Sequence, residues 1–130
     1  MFNVNPYQQY QQNFINSAGK GELTLMLYDG AAKFIKQGIR SIGENNIQSA
    51  HDSIVRAQEI ISHLSETLDP DYELSGDLAL LYEYINRRLI EANIKKDADI
   101  LGEALDFVRQ FRETWREVLN LSRSPIASGQ

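Results

Sequence analysis

The residues that could do chemistry are few. The 130-residue chain has no cysteine and only two histidines. That excludes disulfides, thiolate zinc sites, iron–sulfur clusters and a cysteine nucleophile. His51 and His63 lie twelve residues apart in one helical stretch, so their side chains point about 120° apart and do not share a metal through that helix. Eighteen carboxylates are present, but a bundle-type metal centre needs Glu-x-x-His pairs on inward faces. Glu59 stands four residues before His63, not three. Neither a catalytic residue nor a metal ligand nor a cofactor is therefore expected. Gly19-Lys20-Gly21 lacks the spacing of a phosphate loop and follows no strand. No serine stands in a nucleophile elbow. Arg109, Arg112 and Arg116 form a basic row among Asp106, Glu113 and Glu117, a pattern suited to surface ion pairs three and four residues apart. Arg87 and Arg88 are adjacent and point to different sides of a helix.

Composition narrows the rest. A net charge of −5 and a pI near 5.0 disfavour a phosphate-backbone binder, which carries a basic surface. The longest apolar run, Leu78 to Tyr82, is far short of the roughly 20 residues a membrane span needs, so no membrane insertion is expected. Half of the first 16 residues are Asn or Gln. With no basic start and no apolar stretch, they do not read as a secretory signal, and the expected location is cytoplasmic. Hydrophobic residues make up 42% and charged residues 24% of the chain, ordinary values for one globular domain.

Four periodic stretches must supply the framework. Pro6, Pro70 and Pro125 all fall outside them, where they break no helix. The first stretch, about 21–42, carries one stripe of Leu23, Leu27, Ala31, Phe34, Gly38 and Ile42. A second stripe holds Leu25, Tyr28, Ala32, Ile35 and Ile39. Steps of three and four are helical, and two stripes require partners on two sides. The second stretch, about 47–68, runs Ile47, Ala50, Ile54, Ala57, Ile61, Leu64, Leu68. Asn45 or Asn46 suits its N-cap, and Gly43 suits the close of the helix before it. Leu68-Asp-Pro-Asp71 is a stop signal. Ser75 suits the cap of a third helix reaching about residue 93, with Leu78, Leu81 or Tyr82, Ile85, Leu89 and Ala92 on one stripe. Asp97 suits the cap of a fourth, with Leu101, Ala104, Leu105, Val108, Phe111, Trp115 and Val118, ending near Leu121. Before all four, Asn5-Pro6 is a cap and a first-turn proline, followed by Tyr7, Tyr10 and Phe14. No strand alternation occurs. The expected fold is all-α: an antiparallel four-helix bundle over 20–121, an additional short helix within 1–19, and a small polar tail over 122–130.

The apolar surplus suggests binding. The second stripe of the first helix exceeds what one seam needs, so Leu25, Tyr28, Ala32, Ile35 and Ile39 are expected to line part of a groove for an amphipathic or extended peptide. Tyr7 and Tyr10 are expected to form its lid or flank. Asp29 is expected to pair with Arg87 or Arg88.

Three passages go beyond generic bundle sequence. They are Glu22-Leu-Thr-Leu-Met-Leu-Tyr-Asp-Gly-Ala-Ala, residues 22–32; Leu81-Tyr-Glu-Tyr-Ile-Asn-Arg-Arg-Leu-Ile-Glu-Ala-Asn, residues 81–93, followed by Asp97; and Thr114-Trp115. With Asn5-Pro6-Tyr7 and Tyr10 before them, they resemble the bacterial flagellar secretion chaperones, the export chaperones for flagellin. That family often begins its first long helix through Ser-Pro-x-Glu-Leu. Here Ser17-Ala-Gly-Lys-Gly-Glu-Leu23 stands instead, and two glycines make a more flexible start. The resemblance implies an antiparallel bundle and a non-enzymatic cytoplasmic chaperone. Its implied client is the disordered C-terminal segment of flagellin, kept from premature polymerisation and competent for flagellar type III export. A component of the export gate is a further implied partner. A homodimer is compatible with the same apolar faces. The competing expectation is a self-associating structural or adaptor bundle with no flagellin client. A phosphotransfer domain would use His51 or His63, each beside a small residue, but no resemblance points there.

Overall fold

A computed structural model describes residues 20–123. Those residues form four helices and no strand: α1 (Lys20–Gly43), α2 (Ile47–Glu66), α3 (Ser75–Lys95) and α4 (Ala98–Arg123). Tyr7, Tyr10, the expected short N-terminal helix and the tail from 124 onward lie outside the described residues.

The helix ends follow local chemistry. The Asn46 side chain accepts from the Ser49 amide and so caps α2. Before it, Asn45 takes the left-handed conformation at φ 59°, a role asparagine fills more readily than most residues. Gly43 is simply the last helical residue of α1, so the expectation that it closes the helix is corrected: the reversal falls on Asn45. Asp97 caps α4, its Oδ1 accepting from the amides of Asp99 and Ile100. Lys96, at φ 51°, closes α3. Ser75 does not cap α3. Leu74 holds that position, and Ser75, already helical, donates its hydroxyl to the Asp69 carbonyl in the α2–α3 connection. A serine that finds a carbonyl across a loop has no reason to serve its own helix start.

The helices meet as a ring. α1 packs on α2 and α4, α2 on α3, and α3 on α4. One buried cluster fills the centre, built from the expected stripes: Leu27, Ala31, Ile54, Ala57, Ile61, Ile85, Leu89, Leu101, Ala104 and Val108 among others. Two helices flank α1, which is why both of its stripes are at least partly buried. Gly38 shows how close α1 comes. A Cβ there would stand 3.2 Å from Leu101 Cδ1 and 3.3 Å from Ile54 Cγ1, one neighbour on α4 and one on α2. Ile47, placed on the α2 stripe by its spacing, is 53% exposed at the open end of its helix.

Candidate functional site

The expected groove row divides in two. Ile35 is fully buried and Tyr28 is 2% exposed, so both belong to the core, and Tyr28 also lines an open pocket at the start of α1. Leu25, Ala32 and Ile39 remain half-buried. They are spaced by seven and lie one above another, on the side of α1 that carries Asp29. Asp29 pairs with Arg112 of α4, not with Arg87 or Arg88, so this row follows the α1–α4 seam. The Arg112 guanidinium is held above its usual range by that hydrogen bond. Arg88 is engaged elsewhere: it bridges Glu103 of α4 at 2.8 Å and Glu91 at 2.6 Å. Glu103 also accepts from the Tyr84 hydroxyl at 2.7 Å. The Tyr84 and Arg88 bonds together hold the Glu103 carboxyl below the usual range.

An apolar pocket of about 360 Å³ opens at one end of the ring. The start of α1, the end of α2, the start of α3 and the end of α4 surround it. Its walls include Leu68, Tyr72, Leu78, Trp115 and Val118. At its floor the hydroxyls of Tyr28 and Tyr82 share a buried hydrogen bond of 2.5 Å that links α1 to α3 across the core. Phe111 of α4 packs on both rings, with centroids 6.2 Å from each. Burial raises the pKa of the Tyr28 phenol and of its partner, so both stay neutral and act only as hydrogen-bonding groups. Trp115 reaches across the rim and donates its indole N–H to the Gly21 carbonyl at 2.8 Å. A Cβ at Gly21 would fall 2.5 Å from Leu119 Cδ2, the end of a flexible side chain that can turn aside.

A second surface was not singled out from the sequence. Leu80, Ile90 and Ile94 of α3 are 66%, 45% and 78% exposed. They fall off the α3 core stripe, and that was the available signal: three large aliphatics left over once the inward face is assigned. Beside Ile90 a groove of about 420 Å³ runs between α2 and α3.

Among the described residues no group of His, Asp and Glu could hold a metal ion. His51 is occupied by Asn93 of α3, ring nitrogen to amide at 2.9 Å. No helix is long and apolar enough to cross a membrane.

The family model "Flagellar protein FliS" matches residues 3–122. The chain belongs to the FliS family. The flagellar secretion chaperone FliS of Bacillus subtilis (strain 168) is 41% identical over 119 residues, covering 92% of this chain and 90% of the relative. The Escherichia coli (strain K12) chaperone of the same name is 30% identical over 121 residues, covering 88% and 89%. That of Salmonella typhimurium is 28% identical over 122 residues, covering 92% and 87%. FliS proteins are chaperones and not enzymes.

Proposed function

We propose that this chain is a cytoplasmic export chaperone for flagellin. It binds the disordered C-terminal segment of newly made flagellin, prevents premature polymerisation and hands the subunit, still competent, to a component of the flagellar type III export gate. The observation that carries this reading is the kinship to flagellar secretion chaperones over nearly the whole chain. The surfaces suit such a client. A segment that folds on binding buries on the order of 1,000–3,000 Å², more than one pocket supplies. The end pocket, the α1–α4 seam at Leu25, Ala32 and Ile39, and the exposed α3 face together offer a path around the helices. Tyr28 and Ile35 then act from beneath, as the floor on which that path rests.

The finer architecture follows from the same reading. Short connections at 44–46 and 96–97, with each helix touching two others, support an antiparallel four-helix bundle. Tyr7 and Tyr10, proposed as the lid or flank of the client groove, lie outside the described residues. A second copy of the chain, seated on Leu80, Ile90 and Ile94, is the competing occupant.

Titration calorimetry of the full chain with a peptide carrying the last several dozen residues of the host's flagellin tests the reading. One-to-one binding with a strongly negative heat-capacity change is expected, the mark of apolar burial. Absence of heat, together with a concentration-dependent dimer on gel filtration, would replace it with the self-associating bundle.

A further inference from the structure

We propose that two copies of the free chain pair through α3, antiparallel, about a two-fold axis at residue 85. The outward line of this helix is Gly76, Leu80, Glu83, Arg87, Ile90 and Ile94, all of them exposed. Its steps alternate four and three without a miss. That is the heptad spacing of a helix that lies along another helix. The line runs on the side of α3 away from the core stripe of Tyr82, Ile85, Leu89 and Ala92. Leu80, Ile90 and Ile94 therefore serve no packing within the chain. The pairing belongs to the free chain and does not depend on the flagellin reading.

Charge selects the occupant and its direction. Leu80, Arg87 and Ile94 take the a positions of the heptad, and Gly76, Glu83 and Ile90 the d positions. Antiparallel helices set a against d. With the axis at residue 85, Leu80 stands opposite the partner's Ile90, Glu83 opposite the partner's Arg87, and Ile94 opposite the partner's Gly76. The two-fold repeats each contact, so the line is complementary to itself. A Cβ at Gly76 would meet nothing within 4 Å, which leaves room for an isoleucine. The partner's Leu80 comes down beside Ile90, at the groove that Glu83, Arg87 and Ile90 border. Neither charge is spent within the chain. Glu83 makes no ion pair among the described residues. Arg87 lies over the Tyr84 ring, 5.9 Å from its centroid, and does not turn back to Glu83. A parallel pairing would set Glu83 on Glu83 and Arg87 on Arg87, which repel. On one flank Asp77 approaches the partner's Glu91, whose charge is already met by Arg88 and Lys95. The line spans about 27 Å. Charged residues hold its centre and fix the register at a cost in stability, so the dimer is weak, with a Kd on the order of 10–100 μM.

Sedimentation equilibrium of the full chain, without client, tests the pairing. Between about 5 μM and about 500 μM the wild type should pass from monomer to dimer. Glu83→Arg and Arg87→Glu should each raise the Kd more than about tenfold, because like charges then face across the axis. The two single variants mixed together should associate again, since each carries the charge the other has lost. Both exchanges in one chain should restore the wild-type Kd within about threefold. Leu80→Ser should weaken the dimer about tenfold by removing apolar contact without touching a charge. Every substitution falls on an exposed residue, so helical circular dichroism should match the wild type throughout. A wild type still monomeric at about 500 μM overturns the proposal. So does a dimer that ignores the single exchanges, or one that neither mixing nor the double exchange restores while the variants remain folded. No flagellin enters these measurements, so their failure leaves the client reading standing, and failure of client binding leaves the dimer standing.

Discussion

Ile35 decides whether the surplus apolar stripe of α1 is core or client surface. The perturbation is Ile35→Ala, set against Leu25→Ala on the same stripe. Ile35 is fully buried within the central cluster, and truncation of a buried isoleucine to alanine removes both transfer energy and packing, typically 2–5 kcal/mol. Ile35 belongs to the buried cluster at the centre of the helices, so the hole closes poorly and about 3 kcal/mol is expected. For a domain of this size, about 4 °C of Tm accompanies each kcal/mol, giving a fall of about 12 °C. Leu25 is half-buried at the α1–α4 seam, and its truncation should cost about 1 kcal/mol, or about 4 °C. The assay is thermal unfolding followed by helical circular dichroism, with client titration at a temperature where both variants are folded. Ile35→Ala should bind the flagellin peptide within threefold of wild type, and Leu25→Ala should bind more weakly. A Tm within about 3 °C of wild type for Ile35→Ala, together with lost binding, would show that the helices open to expose Ile35. The closed-core reasoning would then fail.

Two further outcomes follow from the geometry. Gly102→Ala adds a Cβ with nothing within 4 Å, so the gain in helix propensity stands alone and stability should rise by about 1 kcal/mol. Gly38→Ala gains the same propensity but crowds Leu101 and Ile54, both fully buried, and should lose about 1 kcal/mol net; equal signs in chemical denaturation would contradict the packing. In acid, Glu103 matters because the Tyr84 and Arg88 hydrogen bonds hold its carboxyl below 4.5. A depressed carboxylate contributes stability that is present above its unfolded value and lost as pH falls through the folded one. The stability difference between wild type and Glu103→Gln should therefore shrink from pH 6 to pH 3 in urea titrations, and a constant difference would remove Glu103 from the acid limb.

Much of the framework was legible in the residues alone. Helix positions follow from three-and-four spacing, and the caps at Asn46 and Asp97 from side chains that reach amides within three residues. The family was legible because the Leu-Tyr-Asp-Gly-Ala and Arg-Arg-Leu passages are specific as a pair. All of these are local properties of one stretch of chain. What surrounds a side chain is not local. The α1 stripe could show that two faces are apolar, but only the position of α1 between α2 and α4 decided that Tyr28 and Ile35 face inward. Asp29 carries no mark of its partner, and the approach of α4 assigned it to Arg112 instead of Arg87 or Arg88. The Tyr28–Tyr82 bond joins residues 54 apart. Asn86 and Asn93 read as ordinary polar residues of a helix until α2 lies beside them and supplies Ser62 and His51 as partners. Spacing along a helix sets which side chains share a face, but the free energy of each group depends on what that face meets, and packing of the four helices against one another supplies that.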